Sequence, residues 1–416
     1  MKALGDIRGR AAWVVLGALV VQMGLGYGYV FSLVAEPMIA ELAWTRAEWA
    51  AALAPQLPTQ ALASPFVGAL CVRFGARGVM AASVLALGIG FAAMAGVHSI
   101  VGFACLIGLT GVALAGVGDI TAGAVVTRWV GRGRGLALGI VYTGANFGGS
   151  AFAWLGAALA SRQSWREMLV TFGALGALVM LPAALLAVRE PRAGEGPLAG
   201  GAVDSRAAAG SVTEDVDLGP ALRTRSFWIL AYALFAILFY FVAMIRHMVL
   251  FLRDAGYSPE EAARLYGVSI FLGVVSKVLF GLLADRLHTR TSALLNTALI
   301  TLSSLLVFLV PLSVAWVWPF ILVYGFSVNA RDVMFPLVVT HCFGVRYLAK
   351  IYGALTVVLL PAGALGPVLA GAVFDRRGSY DLAFGLFAAL NALALVLLLG
   401  VRPEGRLQLP EDTGRR

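Results

Sequence analysis

Long apolar runs separated by short polar stretches make up the chain. Runs such as Val79–Val97 and Thr291–Val310 contain no Asp, Glu, Lys or Arg. Each is close to the ~20 residues an α-helix needs to cross a hydrocarbon core about 30 Å thick. With no water in that core to bond the backbone, only helices or closed barrels can span it. The runs lack the short alternation of barrel strands, so the pattern predicts helices. The spans fall at roughly 11–35, 47–72, 78–97, 100–129, 134–160, 166–188, 226–252, 260–285, 291–312, 315–343, 348–374 and 380–401.

Between the sixth and seventh spans, Arg189 to Leu222 is rich in Gly, Ala, Pro and charge and has no apolar period. It reads as a flexible linker. The expected organisation is therefore an N-terminal half at 1–188, a cytoplasmic linker at 189–222 and a C-terminal half at 223–416. The halves repeat. Gly68-Ala-Leu-Cys-Val-Arg73 after span 2 matches Gly281-Leu-Leu-Ala-Asp-Arg286 after span 8, and Trp165-Arg166 matches Tyr380-Asp381 at nearly the same offset. Two parallel repeats of about six helices each place a solute path at their interface, near the bilayer midplane.

Composition agrees with a membrane chain. Of its 416 residues 60% are hydrophobic and only 13% charged, against roughly 25% charged in soluble domains. The net charge of +9 does not imply nucleic acid, because the basic residues are scattered at span ends. They favour one set of loops roughly three to one, which predicts cytoplasmic termini. The expected setting is the cytoplasmic (inner) membrane of a bacterium, as a multi-pass monomer. The apolar run that follows the basic start continues through Val34, longer than a signal peptide, and reads as span 1. Cys71, Cys105 and Cys342 lack metal-ligand spacing and read as packing residues. No nucleotide loop, metal cluster or nucleophile elbow is present in the sequence, so neither an enzyme nor a cofactor is expected. Transport would draw on a solute or ion gradient.

These features together resemble the major facilitator superfamily over essentially the whole chain. Gly281, Asp285 and Arg286 match that superfamily's gating motif; Arg73 keeps its place in the first copy, where Val72 stands for the usual Asp. The stretch Arg128-Trp-Val-Gly-Arg132-Gly-Arg134-Gly-Leu-Ala-Leu-Gly139-Ile-Val-Tyr142-Thr-Gly144 resembles the span 5 signature of the monocarboxylate transporters and oxalate/formate exchangers. Gly363-Ala-Leu-Gly366-Pro-Val-Leu-Ala-Gly371-Ala-Val-Phe-Asp375 resembles their span 11. The resemblance implies a small carboxylate substrate. It also implies a basic residue in the middle of span 8, where this chain has Lys277 in place of the family's Arg, with Gly273 at the position of its acidic neighbour.

A charge inside a span costs roughly 2.5–3.5 kcal/mol on insertion scales, so each is a functional hypothesis. Asp119, Arg246, Lys277, Arg331 and Asp332 are such charges, and His247 adds a titratable group. Lys277 lies ~12 Å along the helix before Asp285, near the midplane; it reads either as an anion site or as one partner of a salt bridge to Asp119 or Asp332. Tyr324, Ser327 and Arg331 share one face of a continuous helix, which suits a hydrated path; the alternative for Arg331 is that it neutralises Asp119 across the halves. Side chains at Arg331 and Asp332 are expected ~100° apart. Asp119, Asp332 and His247 are candidate proton carriers, each with a structural alternative; for Arg246 the alternative is snorkelling outward. Tyr27, Tyr142 and Asn146, with Gln22 and Tyr29, can bond a carboxylate or hydroxyl.

The reading is an all-α membrane protein of the major facilitator fold, with about twelve helices in two pseudo-symmetric halves. The expected activity is secondary transport of a small organic anion, a monocarboxylate moved with a proton by alternating access. Partners are the carboxylate, protons and the lipid bilayer, without nucleic acid. The alternatives are export of an amphipathic drug or metabolite, and a receptor on a transporter fold.

Overall fold

The computed structural model describes residues 9–130, 134–191, 216–344 and 348–404, which are helical with no strand. Span 1 is α1 (Arg10–Gln22), a 3-10 turn (Met23–Gly26) and α2 (Tyr27–Leu42). Spans 2 and 3 comprise α3 (Arg46–Leu53) and α4 (Gln56–Met94), the latter kinked at Gly75 with φ 76°. Span 4 is α5 (Ile100–Val117) and α6 (Asp119–Trp129); span 5 is α7 (Arg134–Tyr142) and α8 (Gly144–Leu159); span 6 is α9 (Trp165–Pro182). After the short α10 (Leu218–Ala221) come α11 (Arg225–Asp254), α12 (Pro259–Arg286) and α13 (Thr289–Leu306). Span 10 is α14 (Val317–Val328) and α15 (Arg331–Phe343), and the chain closes with α16 (Leu348–Arg377) and α17 (Asp381–Leu398).

Among the described residues nine helices are long and apolar enough to cross a membrane, or ten with α14 and α15 as one bent span. Expected spans 2 and 5 fall outside that number. Span 5 is divided at Thr143 into pieces too short to cross alone, and Pro55 separates the polar start of span 2 from α4. Capping boxes start three helices: Thr45 with Glu48 opens α3, Ser164 with Glu167 opens α9, and Ser258 with Glu261 opens α12. Each satisfies two backbone donors that the first helical turn leaves orphaned.

Two breaks bear on the charged residues. Gly118 is extended (φ −78°, ψ −170°) and ends α5, so Asp119 stands in the first turn of α6. The positive end of a helix dipole favours a carboxylate there. In span 10 the axis bends by 41° between α14 and α15. Tyr324 and Ser327 therefore belong to one segment and Arg331 to the next, which corrects the expectation of one continuous polar face.

The described residues fall into two compact units. One lies within Met1–Gly200, Val242–Val274 and Ala364–Tyr380; the other lies within Gly201–Phe241, Val275–Gly363 and Asp381–Arg416. The first thus unites the helices of the N-terminal half with the far end of α11, the start of α12 and the end of α16. Its core stacks Tyr27 on Phe91 and Phe152, with Phe31 and Phe172 beside them. Spans 1 and 5 meet backbone to backbone: a Cβ on Gly26 would lie 2.4 Å from the Gly149 nitrogen, and one on Gly148 would lie 2.1 Å from the Met23 oxygen. Small residues permit such approaches in membranes, where close packing is a main source of helix association. In the second unit, Tyr240 packs on Tyr324 and Phe387, and the Asn296 amide donates to the Ser327 carbonyl at 2.8 Å.

Gly148→Val would push the backbones of spans 1 and 5 apart. It is expected to cost about 3 kcal/mol or more, at or beyond the upper end of overpacking penalties. Thermal unfolding of the purified protein checks this, and an unchanged melting temperature would refute the contact.

Candidate functional site

In the second unit one carboxylate serves two cations. Asp332 Oδ2 lies 3.1 Å from Lys277 Nζ, and its Oδ1 lies 3.1 Å from Arg331 Nε. The break before α15 places Arg331 and Asp332 in the first turn of a new helix. Their side chains meet although successive helical positions diverge, because the long guanidinium folds back over its neighbour. The guanidinium also stacks 3.5 Å above the Phe241 ring. Its Nη1 is buried with no hydrogen-bond partner among the described residues. Lys277 and Arg331 are largely buried, whereas the Asp332 side chain is 47% exposed. The cluster therefore carries an excess positive charge and one unsatisfied donor. Tyr324 is buried in the same unit, on the other segment of span 10.

In the first unit, Asp119 accepts a hydrogen bond from Gln22 Nε2 at 2.5 Å. The Tyr142 hydroxyl donates to the Asp119 backbone carbonyl at 3.4 Å. These three form a polar group on spans 1, 4 and 5. Asn146 is buried and donates to the Ile270 carbonyl at 3.0 Å. Tyr27 is fully buried, and its hydroxyl donates to the Phe172 carbonyl at 2.9 Å. Its polar end is thus engaged by the helix backbone inside the core.

Arg246 does not snorkel. It is 6% exposed; its Nη1 donates to the Gly28 carbonyl at 2.9 Å, its Nη2 donates to Gln56 Oε1, and the Phe31 ring lies 5.4 Å away. Neutral acceptors inside the unit draw the guanidinium inward, and none of the described acids forms an ion pair with it. His247 is buried between Pro367 and Tyr380. The Pro367 carbonyl at 2.9 Å can only accept, so Nε2 carries the proton, and Nδ1 accepts from the Tyr380 hydroxyl at 3.1 Å.

Where α2, α11 and α16 finish, Arg46 organises a further cluster. It grips Asp254 bidentately at 2.5 and 2.8 Å, donates to the Tyr380 hydroxyl at 2.5 Å and stacks 3.6 Å over Phe374. Asp375 accepts from the backbone nitrogens of Arg46 and Ala47 at 3.0 and 2.8 Å, capping α3. Gly371 makes room, since a Cβ there would lie 2.6 Å from the Ala47 nitrogen. Arg253 pairs with Glu36 at 2.7 Å nearby. Glu41 accepts from Arg166 and from the Trp165 indole. Sequence reasoning missed this cluster. The span 11 signature and the repeat mark Gly371, Asp375 and Tyr380, but neither joins them to Arg46 or Asp254, whose charge at span ends is unremarkable where the interface is solvated.

The expected gating residues are less fully placed. Gly281 has room around it, with Val333 Cγ1 3.9 Å from a built Cβ, and Arg73 is exposed beside the Phe74 ring. The side chains of Val72, Asp285 and Arg286 lie outside the described residues, as do positions 131–133 of the span 5 signature and 192–215 of the linker.

Comparison with known proteins agrees with this architecture. The family profile described as Major Facilitator Superfamily matches residues 14–364. Monocarboxylate transporter 13 of Bos taurus is 29% identical, over 93% of this chain and 89% of that protein. Monocarboxylate transporter 11 of Homo sapiens is 30% identical, over 95% of this chain and 84% of that protein. Among solved structures, an inward-facing bacterial homologue of the human lysosomal transporter Spinster superposes with a TM-score of 0.69 at 17% identity, covering 96% of this chain and 97% of its own. Those relatives are transporters and not enzymes. The chain belongs to the major facilitator superfamily and is a multi-pass membrane transporter related to the monocarboxylate transporters.

Proposed function

We propose that this transporter moves a small organic monocarboxylate together with a proton, by alternating access. The observation that carries the reading is the Lys277–Asp332–Arg331 cluster, with two cations on one half-exposed carboxylate and a buried guanidinium nitrogen without a partner among the described residues. An arriving carboxylate supplies the missing acceptor. Protonating Asp332 removes the charge that neutralises Lys277 and Arg331, so proton and anion favour each other's binding by linkage. Asp332 is thus the proton carrier and Lys277 and Arg331 hold the substrate. The basic bias of alternate loops supports cytoplasmic termini. The Arg46 cluster acts as a latch: its bonds must break for α3 to part from the ends of α11 and α16.

In proteoliposomes, wild-type uptake of pyruvate is expected to be concentrative when the outside is acidic and to lose that concentration with a protonophore. Asp332→Asn should still exchange pyruvate at equilibrium yet fail to concentrate it. Concentrative uptake that survives the protonophore would exclude proton coupling.

The latch makes its own prediction. A double-mutant cycle of Arg46→Ala and Asp254→Ala should give a coupling of about 1–3 kcal/mol in unfolding, as for charge-assisted bonds. Arg46→Ala should also raise the labelling rate of a cysteine introduced at Ala47. Additive stabilities and unchanged labelling would remove the latch.

A further inference from the structure

Arg246 is the in-span cation that the cluster of the second unit leaves unexplained. It is 6% exposed, and its described partners are all neutral: the Gly28 carbonyl, Gln56 Oε1 and the Phe31 ring. A buried cation held by neutral groups alone retains most of its charge for another ligand. Gln56 is 3% exposed. Because its Oε1 faces the guanidinium, its Nε2 turns away from Arg246, and that nitrogen is buried with no partner among the described residues. The amide cannot be reversed, since its NH2 would then oppose the guanidinium. Trp49, whose ring lies 5.6 Å from that of His247, has a buried indole N–H in the same condition. The surplus at this place is therefore of donors and positive charge, with acceptors lacking.

There is also room. Gly28 is half-buried at the start of α2, and a Cβ on it would meet nothing within 4 Å. Open space thus adjoins the Cα of Gly28, the residue whose carbonyl accepts from Arg246.

We propose that Arg246 and Gln56 form a second anion subsite in the first unit, which takes the carboxylate of a small monocarboxylate beside Gly28. A carboxylate there accepts from the guanidinium and from Gln56 Nε2, answering both the charge and the orphaned donor. The choice of an organic carboxylate rests on the monocarboxylate reading above; the existence of an anion subsite rests on the geometry alone.

The test is calorimetric titration of pyruvate into the purified full-length protein, with chloride as competitor. Gly28→Val adds bulk where a Cβ meets nothing within 4 Å, while leaving the backbone carbonyl in place. Gln56→Leu removes the orphaned donor. Wild type is expected to show two pyruvate binding events, one of them at Lys277 and Arg331; each variant should weaken the other ~10-fold or more, as for loss of a charge-assisted bond, with chloride ineffective as a competitor. Arg246→Lys should fall between, keeping the charge and losing the planar fork. Wild-type affinity in both Gly28→Val and Gln56→Leu would overturn this subsite and leave the transport reading standing. Chloride that displaces pyruvate from wild type, and no longer does so in Gly28→Val, would make it an inorganic-anion site and overturn the carboxylate assignment. Absence of pyruvate binding to wild type would instead overturn the monocarboxylate reading, and this assignment with it.

Discussion

A charge carried into the hydrocarbon core must find compensation there, because no water reaches it. The arrangement of this transporter follows from how each in-span charge meets that demand. Asp332 is shared by Lys277 and Arg331. Asp119 takes the Gln22 amide and stands at a helix start. Arg246 draws on a carbonyl, an amide and an aromatic ring. All three places coincide with irregular helix: the end of α5 at Gly118, the bend before Arg331, and the 3-10 turn at Met23–Gly26 just before Gly28. Interrupted helices expose backbone groups at mid-membrane depth, which is tolerated where they serve a polar site.

The same economy explains the packing. Spans 1 and 5 touch through Gly26, Gly148 and Gly149, and α3 reaches α16 over Gly371. Aromatic side chains fill the core of the first unit around Tyr27. The Arg46 cluster then ties α3 to the ends of α11 and α16 by bonds that are individually reversible. Close packing holds the helices of the first unit together, and a few polar bonds tie their ends.

Much of the fold was legible in the sequence, because apolar runs of membrane length admit few structures. The helix breaks were not. Gly118 and the bend between α14 and α15 lie inside apolar runs with no proline at the break, and nothing in the periodicity separates them from continuous helix. That is why Tyr324, Ser327 and Arg331 seemed to share a face. The charged residues were legible as candidates, but their partners were not. Arg246 meets Gly28 and Gln56 across 218 and 190 residues of chain, and Tyr380 meets Arg46 across 334. Such pairings are set by how helices assemble. The linkage of Lys277 to Asp332 was one of two pairings open from the sequence, and the geometry selects it. Tyr27 illustrates the converse: its type suited a substrate contact, while its surroundings commit its hydroxyl to Phe172.

Because the account joins one proton to one carboxylate at a single cluster, the two must enter together. Proteoliposomes holding a pH-sensitive dye, with inside and outside at the same pH, measure this directly when pyruvate is added outside. The lumen should acidify as labelled pyruvate enters, one proton per pyruvate, at a rate that a clamped membrane potential does not change. Pyruvate entry without acidification would contradict it.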